Sequence, residues 1–363
     1  MKPFLKYLLL SFGILFLLVA ITFISIKKAD QKVLEMENFY EGQQANNQVY
    51  SVPSEFIDGE RFYIKIPMAD GDTLLAFGDT GGGNSMILPG TIEKKQLQSK
   101  LHSGLLKGIM PIEYILFNDL VTDTHFPEPG PLRSFVIRKP FNRVTEPCLV
   151  IPPLDDELKF FTKAMPDMDA FLGQNFFMGK AWTIDYPNHT ILLNTPLSVN
   201  EKINPDVQSI GFKKNSNGEN IYGHPSMVIE VEGEKIPVLF DTGATIVLSE
   251  DGKKAFNTTA FTKGGSFIAA SVFDKWRIAH PDWKVYLKAD MKNDVIEVPL
   301  VKIGSQEVGP VLFAKRPDAN WSEGMINSMD KVVKGAIGGS ALKYLKVTID
   351  YKAELMKCSL SFL

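Results

Sequence analysis

The chain has 363 residues, enough for two domains, and its composition of 45% hydrophobic and 22% charged residues is that of a globular protein. A formal net charge of -3 without any Lys/Arg block disfavours nucleic-acid binding. The cysteines, Cys148 and Cys358, lie far apart and outside any CxxC motif, which argues against a zinc cluster or a disulfide-dense scaffold. They are either two buried thiols or a single bridge.

The N-terminal segment predicts a membrane anchor. From Tyr7 to Ile26 the chain carries no charged residue, and lysines lie on both sides of this run. At about 1.5 Å per residue, a helix of this length spans roughly 30 Å, the thickness of bilayer hydrocarbon. No A-x-A cleavage site precedes Lys27, so we expect residues 1–26 to be an anchor or uncleaved signal. A buried helix is the alternative.

The orientation of this segment is not decided by its charges, because the positive charges on its two sides are balanced. A short tail before a large domain favours export, which predicts a membrane-anchored protein whose folded part is extracytoplasmic. An anchor whose folded part faces the cytoplasm is the alternative. Residues 27–55 are polar and mixed in composition, and we interpret them as a stalk.

Short apolar runs make up most of the remaining sequence. They are rich in Val, Ile, Phe and Tyr and are separated by turn residues, without long helical periodicity. Residues 61–77 predict a hairpin around Asp70-Gly71, and residues 226–240 predict another around Glu232-Gly233. Each hairpin leads into an Asp-Thr-Gly triplet. We predict a mainly β fold with a few short helices, one of them near residues 155–163.

An internal repeat organises this β region. Three landmarks recur in the same order and at nearly one spacing, which indicates a duplicated unit. The copies are Asp-Thr-Gly at 79–81 and 241–243, an apolar-apolar-Gly segment at 171–173 and 336–338, and the sequence TIDY at 183–186 and 348–351. We interpret the TIDY aspartates, Asp185 and Asp350, as strand-end residues that face solvent or a turn.

These landmarks resemble the pepsin-like and retroviral-type aspartic proteases. In that family an Asp-Thr-Gly loop follows an apolar strand, and an apolar-apolar-Gly segment packs across it. Because one chain contains both copies, the resemblance is to the two-lobed pepsin arrangement and implies a monomeric catalytic unit. It covers most of residues 56–363 and implies an N-terminal lobe at 56–196 and a C-terminal lobe at 197–363.

The resemblance implies that Asp79 and Asp241 are the catalytic pair. Amide hydrolysis without a metal or a protein nucleophile needs one group to take a proton from water and another to hold a proton for the carbonyl. Two adjacent carboxylates share a proton, so the pair acts as acid and base and titrates as a dyad. This chemistry needs no cofactor and no metal.

The residues around the dyad have expected roles as well. In the family, the threonine hydroxyls, here Thr80 and Thr242, bond across the lobe interface and hold the loops. Gly81 and Gly243 let a backbone N–H approach a carboxylate, which a Cβ would obstruct. Tyr114 lies in the interval where pepsin-like members carry a flap tyrosine, and a core tyrosine is the alternative.

Three positions depart from the family pattern. Gly78 stands where an apolar residue is usual, which predicts a more flexible first loop. The residue after the triplet is Gly82 in one copy and Ala244 in the other, where pepsin-like enzymes carry Ser or Thr. Without a hydroxyl donor, one reason for a low carboxyl pKa is lost. We therefore expect a pH optimum less acidic than that of gastric enzymes.

Other chemistries find no support in the sequence. It contains no GxGxxG fingerprint, no GK[ST], no HExxH and no GxSxG, and its five histidines lack ligand spacing. The sequence therefore predicts an aspartic endopeptidase that acts on a peptide or protein substrate. The alternative is a catalytically silent module on the same fold that binds peptides or a partner protein.

Overall fold

The structure, a computed structural model, describes residues 3–36, 48–106, 108–130, 137–139, 142–165, 167–198, 200 and 203–360. The chain is mainly β, as predicted. The helices are α1 (Pro3–Met36), α2 (Pro89–Lys94), α3 (Phe117–Leu120), α4 (Asp156–Ala164), α5 (Gln174–Phe177), α6 (Glu250–Ala255), α7 (Ala270–Ala279) and α8 (Gly339–Leu342), with short 3-10 or π turns at Gln98–Lys100, Asn320–Gly324 and Met325–Asn327.

The strands, in chain order, are β1 (Tyr50–Val52), β2 (Ser54–Ile57), β3 (Arg61–Pro67), β4 (Thr73–Gly78), β5 (Met86–Ile87), β6 (Leu101–Leu106), β7 (Met110–Leu116), β8 (Ile137–Lys139), β9 (Asn142–Arg143), β10 (Cys148–Ile151), β11 (Ala170–Leu172), β12 (Ala181–Asp185), β13 (Thr190–Leu193), β14 (Val207–Ser209), β15 (Ser226–Val231), β16 (Glu234–Phe240), β17 (Thr245–Val247), β18 (Thr262–Gly264), β19 (Ser266–Ala269), β20 (Val285–Asp290), β21 (Asn293–Val298), β22 (Val301–Ile303), β23 (Gln306–Val308), β24 (Val311–Arg316), β25 (Gly335–Ile337), β26 (Leu345–Asp350) and β27 (Leu355–Leu360).

Two large sheets divide the β region into what we call the first lobe and the second lobe. The first lobe contains a ten-stranded sheet of order β2-β3-β4-β11-β5-β10-β7-β6-β8-β9. The second contains a nine-stranded sheet of order β20-β21-β24-β19-β25-β16-β15-β22-β23, beside the two-stranded ribbon β17-β18. Both predicted hairpins form, β3-β4 and β15-β16. The second turns at Glu232 and Gly233, both with positive φ, as a tight hairpin requires.

A third sheet joins the two lobes. It has the order β1-β13-β12-β26-β27-β14, and its central pair, β12 and β26, consists of the two TIDY strands running antiparallel. Thr183 lies opposite Thr348, and their Oγ1 atoms are 2.7 Å apart. The duplicated strands are thus direct neighbours, and the repeat has a physical counterpart at the centre of the molecule.

The TIDY aspartates are buried and do not face solvent. Asp350 is 4% exposed and accepts hydrogen bonds from the backbone N–H groups of Leu197, Lys352 and Ala353. Asp185 is 6% exposed and accepts from the backbone and side chain of Asn188. The sequence allowed these aspartates to face either solvent or a turn, and the structure shows that they face a turn.

The N-terminal region differs from the prediction. Helix α1 continues to Met36, so the first part of the expected stalk is helical, while residues 37–47 lie outside the described residues. Within the described residues, no helix has the length and apolar character that crossing a bilayer requires, so the expected anchor is unsupported. Strand β1 pairs with β13, which places residues 50–52 in the fold and not in a stalk.

The two cysteines do not form a bridge. Cys148 belongs to β10 of the first lobe, and Cys358 is buried in β27 of the sheet that joins the lobes. Burial raises the pKa of each thiol to about 12, so both stay protonated at neutral pH. Of the two sequence alternatives, free thiols are observed, with Cys358 buried and Cys148 half-buried.

The buried turn at Asp350 gives a test of the joining sheet. We expect Asp350→Ala to lower the free energy of unfolding by about 2 kcal/mol, because three backbone donors lose a charged acceptor. Urea unfolding of the full chain measures this difference. Asp70→Ala is the control, since exposed Asp70 accepts a single turn hydrogen bond and its loss should change stability by no more than about 0.5 kcal/mol. Equal effects of the two changes would contradict the structural role of Asp350.

Candidate active site

Each Asp-Thr-Gly triplet is held by a strand that runs across it. In the first lobe, β4 leads to Asp79 and pairs in parallel with β11, and the Asp79 N–H donates to the carbonyl of Leu172 at 2.9 Å. In the second lobe, β16 leads to Asp241 and pairs in parallel with β25, and the Asp241 N–H donates to the carbonyl of Ile337 at 3.0 Å. The apolar-apolar-Gly segments are therefore the strands that fix the loops.

Two buried serines, which the sequence reasoning missed, hold the glycines at the ends of these strands. The N–H of Gly173 donates to Ser85 Oγ at 3.2 Å, and the N–H of Gly338 donates to Ser266 Oγ at 3.0 Å. Ser85 follows the first triplet closely, whereas Ser266 lies much further along the chain from the second triplet. Because these separations differ, the repeat contains no signal for the pair.

The threonines of the two triplets bond reciprocally across the lobe interface. Thr80 Oγ1 donates to the carbonyl of Phe240 at 2.9 Å and accepts from the N–H of Thr242 at 3.1 Å. Thr242 Oγ1 donates to the carbonyl of Gly78 and accepts from the N–H of Thr80, both at 3.1 Å. Both side chains are fully buried. Four buried hydrogen bonds, each worth about 1 kcal/mol, therefore fix one loop against the other.

The carboxyl groups of Asp79 and Asp241 lie side by side at this junction. The N–H of Gly81 donates to Asp79 Oδ1 at 2.8 Å, and that of Gly243 donates to Asp241 Oδ1 at 3.0 Å. A Cβ on Gly81 would lie 2.6 Å from Cγ of Asp241, and one on Gly243 would lie 2.2 Å from Cγ of Asp79. Each glycine of one loop thus makes room for the aspartate of the other, which requires the absence of a side chain.

Burial raises the pKa of both carboxyls above the ordinary range, although each remains partly accessible at the floor of the cleft. The pKa of Asp241 is raised further because the Asp79 charge lies beside it. The pKa of Asp79 is held back by a hydrogen bond with Asp241 and by the backbone N–H groups of Gly81, Gly82 and Gly243. The pair therefore shares one proton and titrates as a dyad.

The glycines around the first triplet accommodate aromatic rings. A Cβ on Gly78 would lie 2.2 Å from the ring of Phe62, and a Cβ on Gly82 would lie 2.3 Å from the ring of Phe171. Gly78 therefore has a packing role that the sequence reasoning missed, because the buried ring of Phe62 fills the space where a side chain would lie. A serine at position 82 would likewise displace Phe171.

An apolar cavity of about 770 Å³ opens beside Asp79. Helix α4 forms one wall and matches the predicted helix near 155–163. It begins after Asp155, whose carboxylate accepts from the N–H of Leu158 at 2.8 Å as an N-cap. The apolar side chains that line the cavity come mainly from the first lobe, and Met291 comes from the β20-β21 turn: Met86, Leu88, Pro152, Pro153, Leu158, Phe160, Phe161, Met168, Phe171 and Met291.

Tyr114 lies in strand β7, opposite His102 on one side and Val150 on the other. It is 1% exposed and packs against Val150 and Ile137. Its ring stacks on that of His102, with 5.5 Å between the ring centroids. The structure therefore places Tyr114 in the core, which is the alternative that the sequence left open. The exposed apolar residues of the β6-β7 hairpin are Ile109 and Met110 at its tip.

Comparison with known proteins found matches among solved structures alone. No family model and no curated protein sequence matches the chain. Among solved structures, the chain is similar to the aspartic proteinase from Irpex lacteus, with 10% sequence identity and a TM-score of 0.42 over 86% of this chain and 98% of that one. At this level of similarity, the chemistry of the site has to be judged from its own geometry.

The raised pKa values predict how the dyad affects stability. A carboxyl whose pKa is higher in the folded than in the unfolded chain stabilises the fold below its unfolded pKa of about 3.9. That contribution is lost as the pH rises through the folded pKa. We expect Asp241→Asn to raise the melting temperature at pH 7 by about 2 °C or more and to change it little at pH 3.

Differential scanning calorimetry of the full chain at both pH values measures this effect. The asparagine side chain keeps an oxygen for the N–H of Gly243 and presents an amide to Asp79, so the packing is retained. Asp70→Asn, at an exposed turn, is the matched control and should have no pH-dependent effect. Equal stabilisation by Asp241→Asn at pH 3 and pH 7 would mean that charge is not the cause.

Proposed function

We propose that this protein is an aspartic endopeptidase whose catalytic groups are Asp79 and Asp241. The observation that carries the proposal is the pair of neighbouring carboxyls, one from each lobe, whose pKa values are raised together so that they share a proton. Thr80, Thr242, Gly81 and Gly243 hold the pair through the contacts described above. The apolar cavity beside Asp79 supports a role in binding substrate side chains.

The proposed reaction starts from ionised Asp79 and protonated Asp241. Asp79 takes a proton from a water molecule, whose oxygen attacks the peptide carbonyl carbon, while Asp241 gives its proton to the carbonyl oxygen. A tetrahedral diol results. Asp79 then gives its proton to the amide nitrogen as the C–N bond breaks, and Asp241 regains a proton from the diol. The dyad ends in its starting state.

The apolar cavity beside Asp79 supports a peptide substrate with large apolar side chains. We propose that the peptide binds in extended form, so that alternate side chains point to the same side and one of them enters this cavity. The cavity has room for a large apolar side chain next to the bond that is cut, since Phe161, Met168 and Phe171 line it. We therefore propose cleavage beside large apolar residues.

The central test uses the full chain and its single variants Asp79→Asn and Asp241→Asn on a mixed peptide library across pH. We expect the parent chain to cleave and each variant to lose at least about 10³-fold in kcat, because an amide cannot replace either the acid or the base. Asp70→Asn, in an exposed turn, should retain full activity. Circular dichroism of each variant checks that it is folded.

A folded parent chain that cleaves nothing at any pH would overturn the proposal and favour the silent binding module. A statine-containing peptide, which mimics the tetrahedral diol, distinguishes the protease from the silent binding module in a second way. A rise in melting temperature on adding this peptide is expected for the parent and not for the Asp79→Asn variant. Equal shifts for both chains would mean that the cleft binds peptides without using the dyad.

The pH dependence of cleavage follows from the direction of the two pKa shifts. Below the lower pKa of the dyad both carboxyls are protonated and no base is present, whereas above the higher pKa both are ionised and no acid is present. Because burial raises both values, we expect the rate to peak above about pH 4. A profile of kcat/KM that peaks near pH 2 would contradict this prediction.

A further inference from the structure

A buried arginine of the first lobe reaches into the second lobe beside its active-site loop. Arg61 begins strand β3 and is 1% exposed. Its Nη1 donates to Thr245 Oγ1 at 3.3 Å and to Thr262 Oγ1 at 3.1 Å, and both threonines belong to the second-lobe ribbon β17-β18. Its Nη2 pairs with Asp58 at 2.7 Å, which supplies the compensating charge from its own lobe.

The contact with Thr245 continues to the dyad. Thr245 Oγ1 donates to the carbonyl of Gly243 at 2.8 Å. That carbonyl and the N–H of Ala244 belong to one planar peptide unit, so fixing the first also fixes the direction of the second. The Ala244 N–H donates to the main-chain carbonyl of Asp241 at 3.4 Å and helps to hold the pKa of Asp241 down, and the Gly243 N–H of the same loop donates to Asp241 Oδ1 at 3.0 Å. Arg61 is therefore connected to Asp241 through one hydroxyl and one peptide plane.

A histidine of the second lobe makes the opposite connection. His224 lies just before β15, is 6% exposed, and places Nε2 3.0 Å from the carbonyl of Gly82 in the first active-site loop. Since a carbonyl only accepts, Nε2 carries the proton. Nδ1 lies 2.9 Å from Ser328 Oγ of the second lobe. The N–H of Gly82 donates to the main-chain carbonyl of Asp79 at 3.2 Å, so His224 contacts the turn that carries Asp79.

The two side chains occupy corresponding places in the repeat. Arg61 precedes Asp79 by almost the same stretch of chain as His224 precedes Asp241, and each lies at the start of the hairpin that leads to its own triplet. Each one crosses to the loop of the other lobe. We propose that Arg61 and His224 are positioning residues that hold the opposite active-site loop in place around the dyad, a role that rests on the proposed function.

Neighbouring charges support a fixed position for Arg61. Glu60, 2% exposed, accepts from Lys263 and Lys343 of the second lobe, both at 2.9 Å to Oε1. The turn that carries Glu60 and Arg61 is thus bound to the second lobe by ionic contacts as well as by the guanidinium. Because Glu60 and Arg61 are both buried and both ion-paired, the guanidinium has little freedom to leave Thr245.

Arg61→Met tests the connection from Arg61 to the loop of Asp241. It keeps the apolar part of the side chain and removes the N–H donors. We expect kcat to fall about tenfold with KM within about twofold of the parent, because a weakened donor affects the dyad more than substrate binding. The alkaline limb of the pH profile should move to higher pH, since the N–H groups of a less firmly held loop at Gly243 and Ala244 stabilise ionised Asp241 less well. Arg61→Lys should recover part of the loss.

Thr245→Val and Thr262→Val are the matched pair of variants for this connection. Both remove a hydroxyl that accepts from Arg61, but only the Thr245 hydroxyl also donates to the Gly243 carbonyl. Thr245→Val should reproduce the shift in pH profile, and the Arg61→Met/Thr245→Val double variant should be no worse than either single variant. Thr262→Val should leave the profile in place. Equal effects of the two valine variants, or additive effects in the double variant, would overturn the proposal.

His224→Met and His224→Gln test the connection from His224 to the Gly82 carbonyl. The methionine removes the donor to Gly82, and we expect kcat to fall about tenfold without a matching change in KM. The glutamine amide can supply an N–H to the same carbonyl and should restore most of the rate. Ser328→Ala removes the partner of Nδ1 alone and should leave kcat within about twofold. Loss of activity in His224→Gln equal to that in His224→Met would contradict a positioning role.

A stability measurement tests the role of Arg61 without a cleavage assay. A negative result there would therefore reject the role of Arg61 independently of whether the protein is a protease. The rise in melting temperature that Asp241→Asn causes at pH 7 is compared in the parent chain and in Arg61→Met. We expect the rise to be roughly twofold larger in Arg61→Met, because the pKa of Asp241 is then raised further. Equal rises would show that Arg61 does not act on Asp241, whatever the result of the cleavage assay.

Discussion

Two carboxyl groups held together in a buried site destabilise a protein as soon as both ionise, and this repulsion is the constraint that the rest of the structure accommodates. Their separation would relieve it, so the loops that carry Asp79 and Asp241 have to be fixed by other contacts. The reciprocal hydrogen bonds of Thr80 and Thr242 supply the nearest of these. A shared proton removes most of the remaining repulsion.

The architecture places these fixed loops at one point. Each lobe brings its aspartate to the end of a strand that another strand crosses in parallel, and the joining sheet pairs the two TIDY strands directly. Contacts between lobes then concentrate around the dyad: the threonines at its base, Arg61 on one side and His224 on the other. The floor of the site is therefore fixed from both lobes by buried hydrogen bonds.

Much of the fold and of the candidate site could be predicted because it depends on local patterns. Alternating residues and turn glycines predicted the two hairpins, and the spaced copies of Asp-Thr-Gly and TIDY predicted the duplication. The role of Gly81 and Gly243 also followed from residue type, since only glycine admits so close an approach. By contrast, Ser85 and Ser266 hold equivalent strands from unequal positions, and no repeat could have paired them.

The sequence by itself determined the β class, the two-fold internal repeat and the identity of the two aspartates, because strand periodicity and motif spacing are properties of the chain read in order. Only the tertiary structure decided that Gly78 makes room for Phe62, that Tyr114 is buried in the sheet, and that Arg61 crosses to Thr245. Those features depend on side chains that are distant in sequence and meet only when the lobes pack. Local propensity contains no information about contacts between residues that are distant in sequence, whereas packing and buried hydrogen bonds determine them.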